Sequence, residues 1–348
     1  MLTHIDEKTQ MPTMVDVVAK ANSVRVAQAQ SLIQLPSSMA SYFKDKELVL
    51  TKGPVFQTAI IAGTMAVKKT ADTIPFCHPI PIDSCKFEIT SDEKFLVKIL
   101  CTVKTTFKTG VEMEALNGAM VAALTVYDMC KAISHDMQIL ETKLIYKTGG
   151  KRTVLPGKTF GLVLTGGKSS RMKRDKALLE YHGIPQAQYI YDSLKSYCHE
   201  VYLSAQPGQW TGTALENYLS LPDVASDLGP LGGMLAAFAK HPEANWFIVA
   251  CDLVEFNHQT IKTLLENYNP AKAVVAYRNR DKGFAEPLCA LYTPEAYPFF
   301  EDALKQNILC PVSILKTFEV NSIDQPAGVD LKNINTAEEF QEHHHGLN

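Results

Sequence analysis

One segment of the chain combines an apolar run, paired glycines and a series of basic residues. The apolar residues 162–164 end just before Gly166 and Gly167, and a basic stretch follows. That stretch contributes Lys168, Arg171, Lys173, Arg174 and Lys176. Glycine backbone lets N–H groups approach an anion closely, and basic side chains add charge-assisted hydrogen bonds. The pattern therefore predicts a polyphosphate-binding loop, with a solvated basic turn as the alternative.

Two common phosphate-binding loops do not fit this segment. A P-loop requires a glycine five residues before its Gly-Lys-Ser, and that position holds Leu162. The chain also lacks the Gly-x-Gly-x-x-Gly pattern of dinucleotide sites. Another class of phosphate site is therefore expected.

A carboxylate follows the apolar run 246–251 directly, at Asp252. Ligands of parallel sheets bind beyond the carboxyl ends of the strands, and Mg²⁺ takes carboxylates together with substrate phosphates. Asp252 is therefore a candidate Mg²⁺ ligand, with a helix N-cap as the alternative. The glycine-rich cluster 227–233 either turns backbone toward a base or ribose or only begins a helix.

The segment 333–339 allows two interpretations. Thr336 and Glu339 match a capping box, which indicates a helix start. The asparagines of this segment could instead supply neutral oxygen ligands to a cation.

In the first part of the chain, His78 stands among Pro75, Pro79 and Pro81. Proline restricts its own backbone and that of the preceding residue, so this segment can aim the histidine in one direction. We interpret His78 as a candidate binding residue, with a purely structural histidine as the alternative.

Charged pairs form a second constellation in the first part. Glu112 and Glu114 would point the same way if their segment were extended. Asp128 and Lys131 are three residues apart and share one face of a predicted helix. A lysine whose pKa is lowered by its neighbours can transfer protons near neutral pH, so this pair, with Lys52 from a turn, is a candidate acid–base site. A solvated ion pair is the alternative.

Periodicity predicts the elements that position these residues. Segments 86–91 and 95–103 are typical of strands, and 55–70 and 115–134 of helices. In the second part, short strands alternate with helices, which indicates a mostly parallel sheet covered on both faces. The strands are predicted at 160–165, 200–205, 246–251 and 273–278, and the helices at 186–197, 231–240, 258–268 and 295–306.

The chain length suggests two domains, because 348 residues exceed the usual size of a single core. Glycine, proline and basic residues cluster near residues 150–158, where a boundary is expected. We predict one domain over 1–152, a linker over 153–158 and a second domain over 159–348.

Composition limits the possible partners. A net charge of −3 argues against general nucleic-acid binding, while local cationic segments suit small anionic ligands. The first residues lack the apolar core of a signal peptide, and no apolar run reaches the ~18 residues that cross a bilayer, so no membrane partner is expected. Eight cysteines without Cys-x-x-Cys spacing favour a reducing, cytoplasmic location over a disulfide framework or a zinc site.

The second part resembles the molybdenum cofactor guanylyltransferases over about residues 160–342. The matching motifs are Leu164-Thr165-Gly166-Gly167, Ser170-Arg171-Met172, Asp175-Lys176-Ala177-Leu178-Leu179, Asp223, Gly229-Pro230-Leu231-Gly232-Gly233, Cys251-Asp252 and Asn333-Ile334-Asn335-Thr336. The resemblance implies a Rossmann-like nucleotidyltransferase that joins GMP from GTP to molybdopterin and releases pyrophosphate.

The same resemblance implies roles for individual residues. Arg171 and Lys176 would steady the triphosphate, Asp223 would help to seat the nucleoside, and Asp252 with Asn335 would hold Mg²⁺. The first motif, Leu164, Thr165, Gly166 and Gly167, would line the GTP site.

One position departs from the guanylyltransferase pattern, since Lys173 stands where that family usually has glycine. A cytidylyl branch carries Ala-Gly in place of the Gly166-Gly167 pair, so the pair favours guanine. A cytidylyl or sugar-phosphate nucleotidyltransferase and a non-catalytic nucleotide-binding module remain the alternatives.

The first part resembles cyclic pyranopterin monophosphate synthase over nearly all of residues 1–152. The matching motifs are Met14-Val15-Asp16-Val17, Cys77-His78-Pro79, Lys108-Thr109-Gly110-Val111-Glu112-Met113-Glu114-Ala115-Leu116, Tyr127-Asp128-Met129-Cys130-Lys131-Ala132 and Lys147-Thr148-Gly149-Gly150-Lys151. The resemblance implies a ferredoxin-like α+β fold and a homohexamer of dimers, with each active site shared across a dimer interface.

The implied reaction converts a cyclic dihydroguanosine triphosphate into cyclic pyranopterin monophosphate and pyrophosphate. Lys52 and Lys131 would be the general acid–base pair, with Asp128 tuning Lys131. Residues implied to bind substrate are Arg25, Cys77, His78, Pro79, Glu112, Met113, Glu114, Lys147 and Lys151. Taken together, the two resemblances predict a bifunctional enzyme of molybdenum cofactor biosynthesis.

Overall fold

The computed structural model describes residues 11–150, 153–165, 175–225, 227–280 and 282–332. The chain divides after Pro156 into two compact units. Each unit has its own sheet and its own hydrophobic core, which agrees with the mixed α/β class expected from the sequence.

The first unit is a four-stranded antiparallel sheet covered by two long helices. Its strands are β1 (Ser23–Gln34), β2 (Phe43–Lys44), β3 (Glu47–Leu50), β4 (Gly53–Pro54), β5 (Ser84–Ser91), β6 (Leu96–Phe107) and β7 (Gln138–Thr148), and its helices are α1 (Val55–Lys68), α2 (Thr70–Thr73) and α3 (Glu112–Cys130). The main sheet has the order β5-β6-β1-β7, and the short strands pair as β2-β3-β4. Both predicted strands and both predicted helices are present, whereas β1 and β7 were not predicted.

Small residues let α1 and α3 lie close together over the sheet. The buried face of α3 is built mainly from alanine and glycine at three- and four-residue spacing. A Cβ atom at Gly63 would lie 2.9 Å from the carbonyl oxygen of Gly118, and one at Gly118 would lie 2.8 Å from Cys101 Sγ. Both glycines are therefore needed for this close approach, which fixes the position of α3.

The second unit is a seven-stranded sheet with helices on both faces. Its strands are β8 (Thr159–Leu164), β9 (Val201–Ser204), β10 (Ser220–Leu221), β11 (Asn245–Ala250), β12 (Val274–Arg278), β13 (Ala285–Tyr292) and β14 (Asn321–Ile323), and its helices are α4 (Gln186–Lys195), α5 (Pro230–Lys240), α6 (His258–Glu266), α7 (Tyr297–Lys305) and α8 (Pro311–Leu315). The order is β10-β9-β8-β11-β13-β12-β14. Only β13 runs antiparallel to its neighbours, so the expectation of a mostly parallel sheet is confirmed.

The parallel register brings several strand ends to one edge of this sheet. Leu164 pairs with both Ser204 and Ala250, and Ser204 also pairs with Leu221. The segments that follow β8, β9, β10 and β11 therefore begin side by side. Strands β8 and β11 are almost wholly buried, as expected for central strands with helices on both faces.

Candidate active sites

A cluster of charged residues surrounds the N-terminal end of α3. Lys147 on β7 pairs with Glu112 in the first turn of α3, with 2.5 Å between Nζ and Oε1. Arg25 on the neighbouring strand β1 donates from Nε to the carbonyl oxygen of Phe107 at 2.9 Å. The structure thus brings three predicted binding residues to one end of the helix.

The conformation predicted for the two glutamates is wrong. Glu112 and Glu114 lie in the first turn of an α-helix, where residues two apart are rotated by about 200° around the axis and so point to nearly opposite sides. Glu112 faces Lys147, whereas Glu114 is only 3% exposed and points into the protein. The helix begins three residues earlier than periodicity predicted, because Glu112, Met113 and Glu114 extend its first turn.

Glu114 lines a cavity of about 320 Å³ together with His78, Pro79 and Pro81. Burial raises the pKa of Glu114 to about 7, and the nearby charge of Glu112 also raises it. Its Oε2 atom is buried and has no hydrogen-bond partner among the described residues. A buried acid with an unused oxygen can accept hydrogen bonds from a ligand in this cavity.

The proline-rich segment that carries His78 is tied to β6. Thr105 Oγ1 donates to the carbonyl oxygen of Pro81 at 2.5 Å, and Asp83 N donates to that of Lys104 at 2.9 Å. Burial raises the pKa of the Cys77 thiol, and the charge of Glu114 raises it further. Cys77, His78, Pro79 and Glu114 therefore form one group, and Met113 is exposed beside it.

The other end of α3 carries the predicted acid–base residues. Lys131 Nζ lies 2.6 Å from Asp128 Oδ1, and both side chains are exposed to solvent. A hydrogen bond and the positive charge of Lys131 lower the pKa of Asp128, and Lys52 lowers it further. Both lysines therefore lie close enough to Asp128 for their charges to affect it.

The predicted direction of the Lys131 shift is wrong for a single chain. The hydrogen bond to Asp128 and the charge of Asp128 raise the pKa of Lys131. A lowered pKa would need burial or a closer like charge, and an exposed ammonium beside a carboxylate has neither. The isolated chain therefore displays the ion pair that was the alternative interpretation.

These two clusters are far apart on one chain. Glu112 and Asp128 are separated by most of the length of α3, which is about 24 Å at 1.5 Å per residue. Between them, exposed apolar side chains cover the outer face of α1 and α3. They are Ile61, Met65, Met113, Met120 and Leu124.

One carboxylate near Lys52 was missed by sequence reasoning. Glu47 on β3 accepts hydrogen bonds from the backbone N–H of Leu48, Phe56 and Gln57 at 2.9, 2.7 and 3.3 Å. The pattern gave no signal for it, because its partners are backbone groups up to ten residues away.

In the second unit, hydrogen bonds connect the ends of β8, β9 and β10. Thr165 Oγ1 donates to the carbonyl oxygen of Ser204, and Ser204 Oγ donates to Asp223 Oδ1. A Cβ at Gly233 would lie 2.6 Å from Ser204 Oγ and 2.9 Å from Leu164 Cδ2, so glycine there lets the first turn of α5 approach these strand ends closely. Leu164, Thr165 and Asp223, all predicted nucleotide-binding residues, thus lie at one edge of the sheet.

Asp252 stands at the same edge, where β11 ends. The ladder with β8 continues one residue past β11, because Cys251 N donates to the carbonyl oxygen of Leu164 at 3.1 Å. Buried Gln186 holds the following backbone by donating from Nε2 to the carbonyl oxygen of Leu253 at 2.8 Å. The carboxylate is therefore presented from a rigid backbone.

Lys176 and Asp252 form a partly buried pair, with 3.4 Å between Nζ and Oδ2. The Oδ1 atom of Asp252 is buried and accepts no hydrogen bond from the described part of the chain. Such an oxygen suits a hard cation such as Mg²⁺. Within the described ranges, no three His, Cys, Asp or Glu side chains converge on a metal position.

A second carboxylate near Asp252 was also missed. Glu286 is at the start of β13, which pairs antiparallel with β11. Burial raises its pKa, and the negative charge of Asp252 raises it as well.

Five predicted site residues, Lys151, Gly166, Gly167, Arg171 and Asn335, lie outside the described residues, as does the predicted capping box at Thr336.

Comparisons with known proteins match a different family to each of the two units. Residues 14–150 match the model of the MoaC family, and residues 161–316 match that of the MobA-like NTP transferase domain. A molybdenum cofactor biosynthesis bifunctional protein from Synechocystis is 49% identical over 344 residues, which cover 98% of this chain and 99% of that protein. A cyclic pyranopterin monophosphate synthase from Xanthomonas oryzae is 54% identical over 153 residues, covering 44% of this chain and 92% of that protein.

Among solved structures, the molybdopterin-guanine dinucleotide biosynthesis protein A of Archaeoglobus fulgidus matches with a TM-score of 0.45 and 16% identity. The match covers 54% of this chain and 98% of that chain. Within the described residues, no helix is long and apolar enough to cross a membrane.

Proposed function

The chain belongs to the family of bifunctional molybdenum cofactor biosynthesis proteins, and we propose that each unit catalyses one reaction. The first unit converts a cyclic dihydroguanosine triphosphate into cyclic pyranopterin monophosphate and pyrophosphate. The second unit transfers GMP from GTP to molybdenum-bearing molybdopterin and releases pyrophosphate. Both reactions handle small anionic substrates, and no nucleic acid or membrane is required.

The observation that carries the first proposal is the separation of two residue clusters along α3. One end presents Lys52, Asp128 and Lys131, and the other presents the His78–Glu114 cavity. A two-fold axis perpendicular to the middle of α3 would bring the first cluster of one chain beside the second cluster of another. The exposed apolar residues between the clusters are suited to burial in that pairing.

In the shared site, the two lysines act as general acid and general base. Lys131 begins with a raised pKa, so it enters the reaction protonated and can serve as the general acid once its pKa is lowered in the shared site. Burial beneath the second chain and the approach of Lys52 would lower the proton affinity of the Lys131 amine. The homohexamer expected from the resemblance would contain three such pairs.

The other half of the shared site binds the substrate. Arg25 and Lys147, with Lys151, neutralise the triphosphate that leaves as pyrophosphate. Glu112 and Glu114 accept hydrogen bonds from the pterin, while Cys77, His78, Pro79 and Met113 enclose it. Lys147 is paired with Glu112, and both groups also contact the substrate when the site is filled.

Mixing two inactive variants tests the shared site. Lys131→Ala and His78→Ala each disable a different half, so a mixed pair has one site with both defects and one with none. Random pairing should restore about a quarter of the activity of the unmodified enzyme. Failure to restore activity, in mixed assemblies verified by mass spectrometry, would show that each chain holds a complete site.

In the second unit, the residues at the sheet edge act on a nucleoside triphosphate. Thr165 and Asp223 position the nucleoside, and Lys176 and Arg171 bind the triphosphate. The unused oxygen of Asp252 fits Mg²⁺, with Asn335 as a second ligand. Bound Mg²⁺ would neutralise charge on the phosphate oxygens during transfer. Lys176 can leave Asp252 to contact the phosphates, because the pair is 3.4 Å apart and only partly buried.

Pyrophosphate release tests this proposal. The full chain is incubated with GTP, CTP or UTP, each with molybdopterin or a sugar phosphate as acceptor, with and without Mg²⁺. We expect release only with GTP, molybdopterin and Mg²⁺ together. Release with CTP would favour a cytidylyltransferase, release with a sugar phosphate would favour a sugar nucleotidyltransferase, and nucleotide binding without release would indicate a non-catalytic module.

All eight cysteines are free thiols in the structure, which supports the proposed cytoplasmic location. Detection of the native chain in a fractionated cell would test it.

A further inference from the structure

Lys52 lies at the tip of a very short hairpin. Strands β3 and β4 pair only at Val49–Pro54 and Leu50–Gly53, and Thr51 and Lys52 form the exposed loop between them. Gly53 has φ of 113°, which favours glycine. Pro54 has no N–H to donate to the ladder. The hairpin therefore has few hydrogen bonds of its own with which to hold Lys52 in place.

Helix α1 begins directly after this hairpin without a side-chain cap of its own. Its N-cap is Pro54, which makes no side-chain hydrogen bond. The first N–H groups of a helix lack intrahelical partners and attract a carboxylate. Glu47 supplies that carboxylate from β3, on the far side of the Lys52 turn.

One carboxylate therefore joins both ends of the turn. Oε1 of Glu47 accepts from Leu48 N at 2.9 Å and from Phe56 N at 2.7 Å, and Oε2 accepts from Gln57 N at 3.3 Å. Hydrogen bonds to a charged acceptor are stronger than those to a neutral one. The segment from Leu48 to Gln57 is thus closed into a loop with Lys52 at its tip.

Packing alone holds the helix but not the turn. Val55, Phe56 and Ala59 anchor α1 in the hydrophobic core. Thr51 and Lys52 are exposed and have no comparable anchor. The specific effect of Glu47 is therefore to hold the turn against the helix, rather than to make the helix form.

We infer that Glu47 is a positioning residue that fixes Lys52 for the reaction of the first unit. The inference rests on the proposed acid–base role of Lys52. Glu47 acts through the backbone of the turn and not on the substrate, so its loss should slow turnover without weakening substrate binding. A displacement of about 1 Å can cost as much as 10²-fold in rate.

Steady-state kinetics of the full chain tests the inference. Glu47→Ala should lower kcat for precursor formation by about 10- to 100-fold and leave KM within about 2-fold. Glu47→Gln keeps one oxygen acceptor but places an amide nitrogen against a backbone N–H, so a smaller loss in kcat is expected. The matched control is Glu93→Gln, which changes an exposed carboxylate in the turn between β5 and β6. Its kcat and KM should equal those of the unmodified enzyme.

A double-mutant cycle separates positioning from general stability. If Glu47 acts through Lys52, then Glu47→Ala should have no further effect on the residual single-turnover rate of Lys52→Ala. Additive losses, a rise in KM that accounts for the effect, or an unchanged kcat would each overturn the inference. An active Lys52→Ala would instead contradict the proposed role of Lys52, so the two failures are distinguishable.

Discussion

The two units differ in how a single chain supplies a site. In the second unit, Thr165, Asp223 and Asp252 follow strands whose carboxyl ends lie side by side. In the first unit, the predicted site residues lie near opposite ends of α3, about 24 Å apart. Parallel strands collect functional groups at one edge, whereas a long helix separates them. One activity should therefore depend on assembly, and the other should not.

The largest expected effect is the loss of Lys131. Removing a general acid or base typically costs about 10²- to 10⁴-fold, so Lys131→Ala should lower precursor formation by that factor. GTP-dependent pyrophosphate release by the second unit should be unchanged, and size-exclusion chromatography should show an intact assembly. Retained precursor formation would contradict the catalytic assignment, as would loss of the assembly.

The corresponding change in the second unit is Asp252→Asn. It keeps the shape of the side chain but removes the charge that fits Mg²⁺, and we expect GMP transfer to fall by about 10²- to 10³-fold. The Mg²⁺ concentration needed for half-maximal residual activity should rise. Precursor formation serves as the internal control, and equal losses in both activities would indicate misfolding instead.

A charge on the outer face of α3 should separate the units further. Leu124→Glu places a carboxylate in the exposed apolar face, so precursor formation should fall by about 10-fold or more at low protein concentration. GMP transfer should not change with dilution. The exposed residue Lys94, in the turn between β5 and β6, provides a control as Lys94→Glu. If both activities respond alike to dilution, the comparison fails.

The smallest effect concerns the pH dependence of stability. Burial raises the pKa of Glu114 to about 7, so the folded first unit keeps a proton that the unfolded chain releases above about pH 4.5. The free energy of unfolding should therefore fall as pH rises from about 4.5 to 7. Glu114→Gln should remove this decline and stabilise the unit at pH 8, by at most about 3 kcal/mol.

Urea titrations at pH 5 and pH 8 can measure this change. Hydrogen exchange in peptides from residues 11–150 follows the unfolding of the first unit. Trp210 and Trp246 both lie in the second unit, so their fluorescence follows the unfolding of that unit and serves as an internal reference. Glu93→Gln should leave the pH dependence as it was. A Glu114→Gln variant with an unaltered decline would show that this carboxyl does not cause it.

Glu112, Glu114 and Lys131 show where sequence reasoning stopped in the first unit. Their residue types and order were sufficient to identify them as candidates. Their directions depended on where α3 begins, and the pKa of Lys131 depended on which charges surround it in space. The first-unit strands β1 and β7 were missed as well, although they form half of its main sheet.

The sequence by itself determined the two-part organisation of functional motifs, the alternation of strands and helices in the second unit and the carboxylate at the end of β11. These are local properties, because periodicity and strand ends depend on residues that are neighbours in the sequence. Only the tertiary structure decided that Glu47 reaches the backbone of α1, that Glu286 lies near Asp252, and that the predicted site residues of the first unit lie near opposite ends of α3. Contacts between residues distant in sequence follow from packing, which local pattern does not specify.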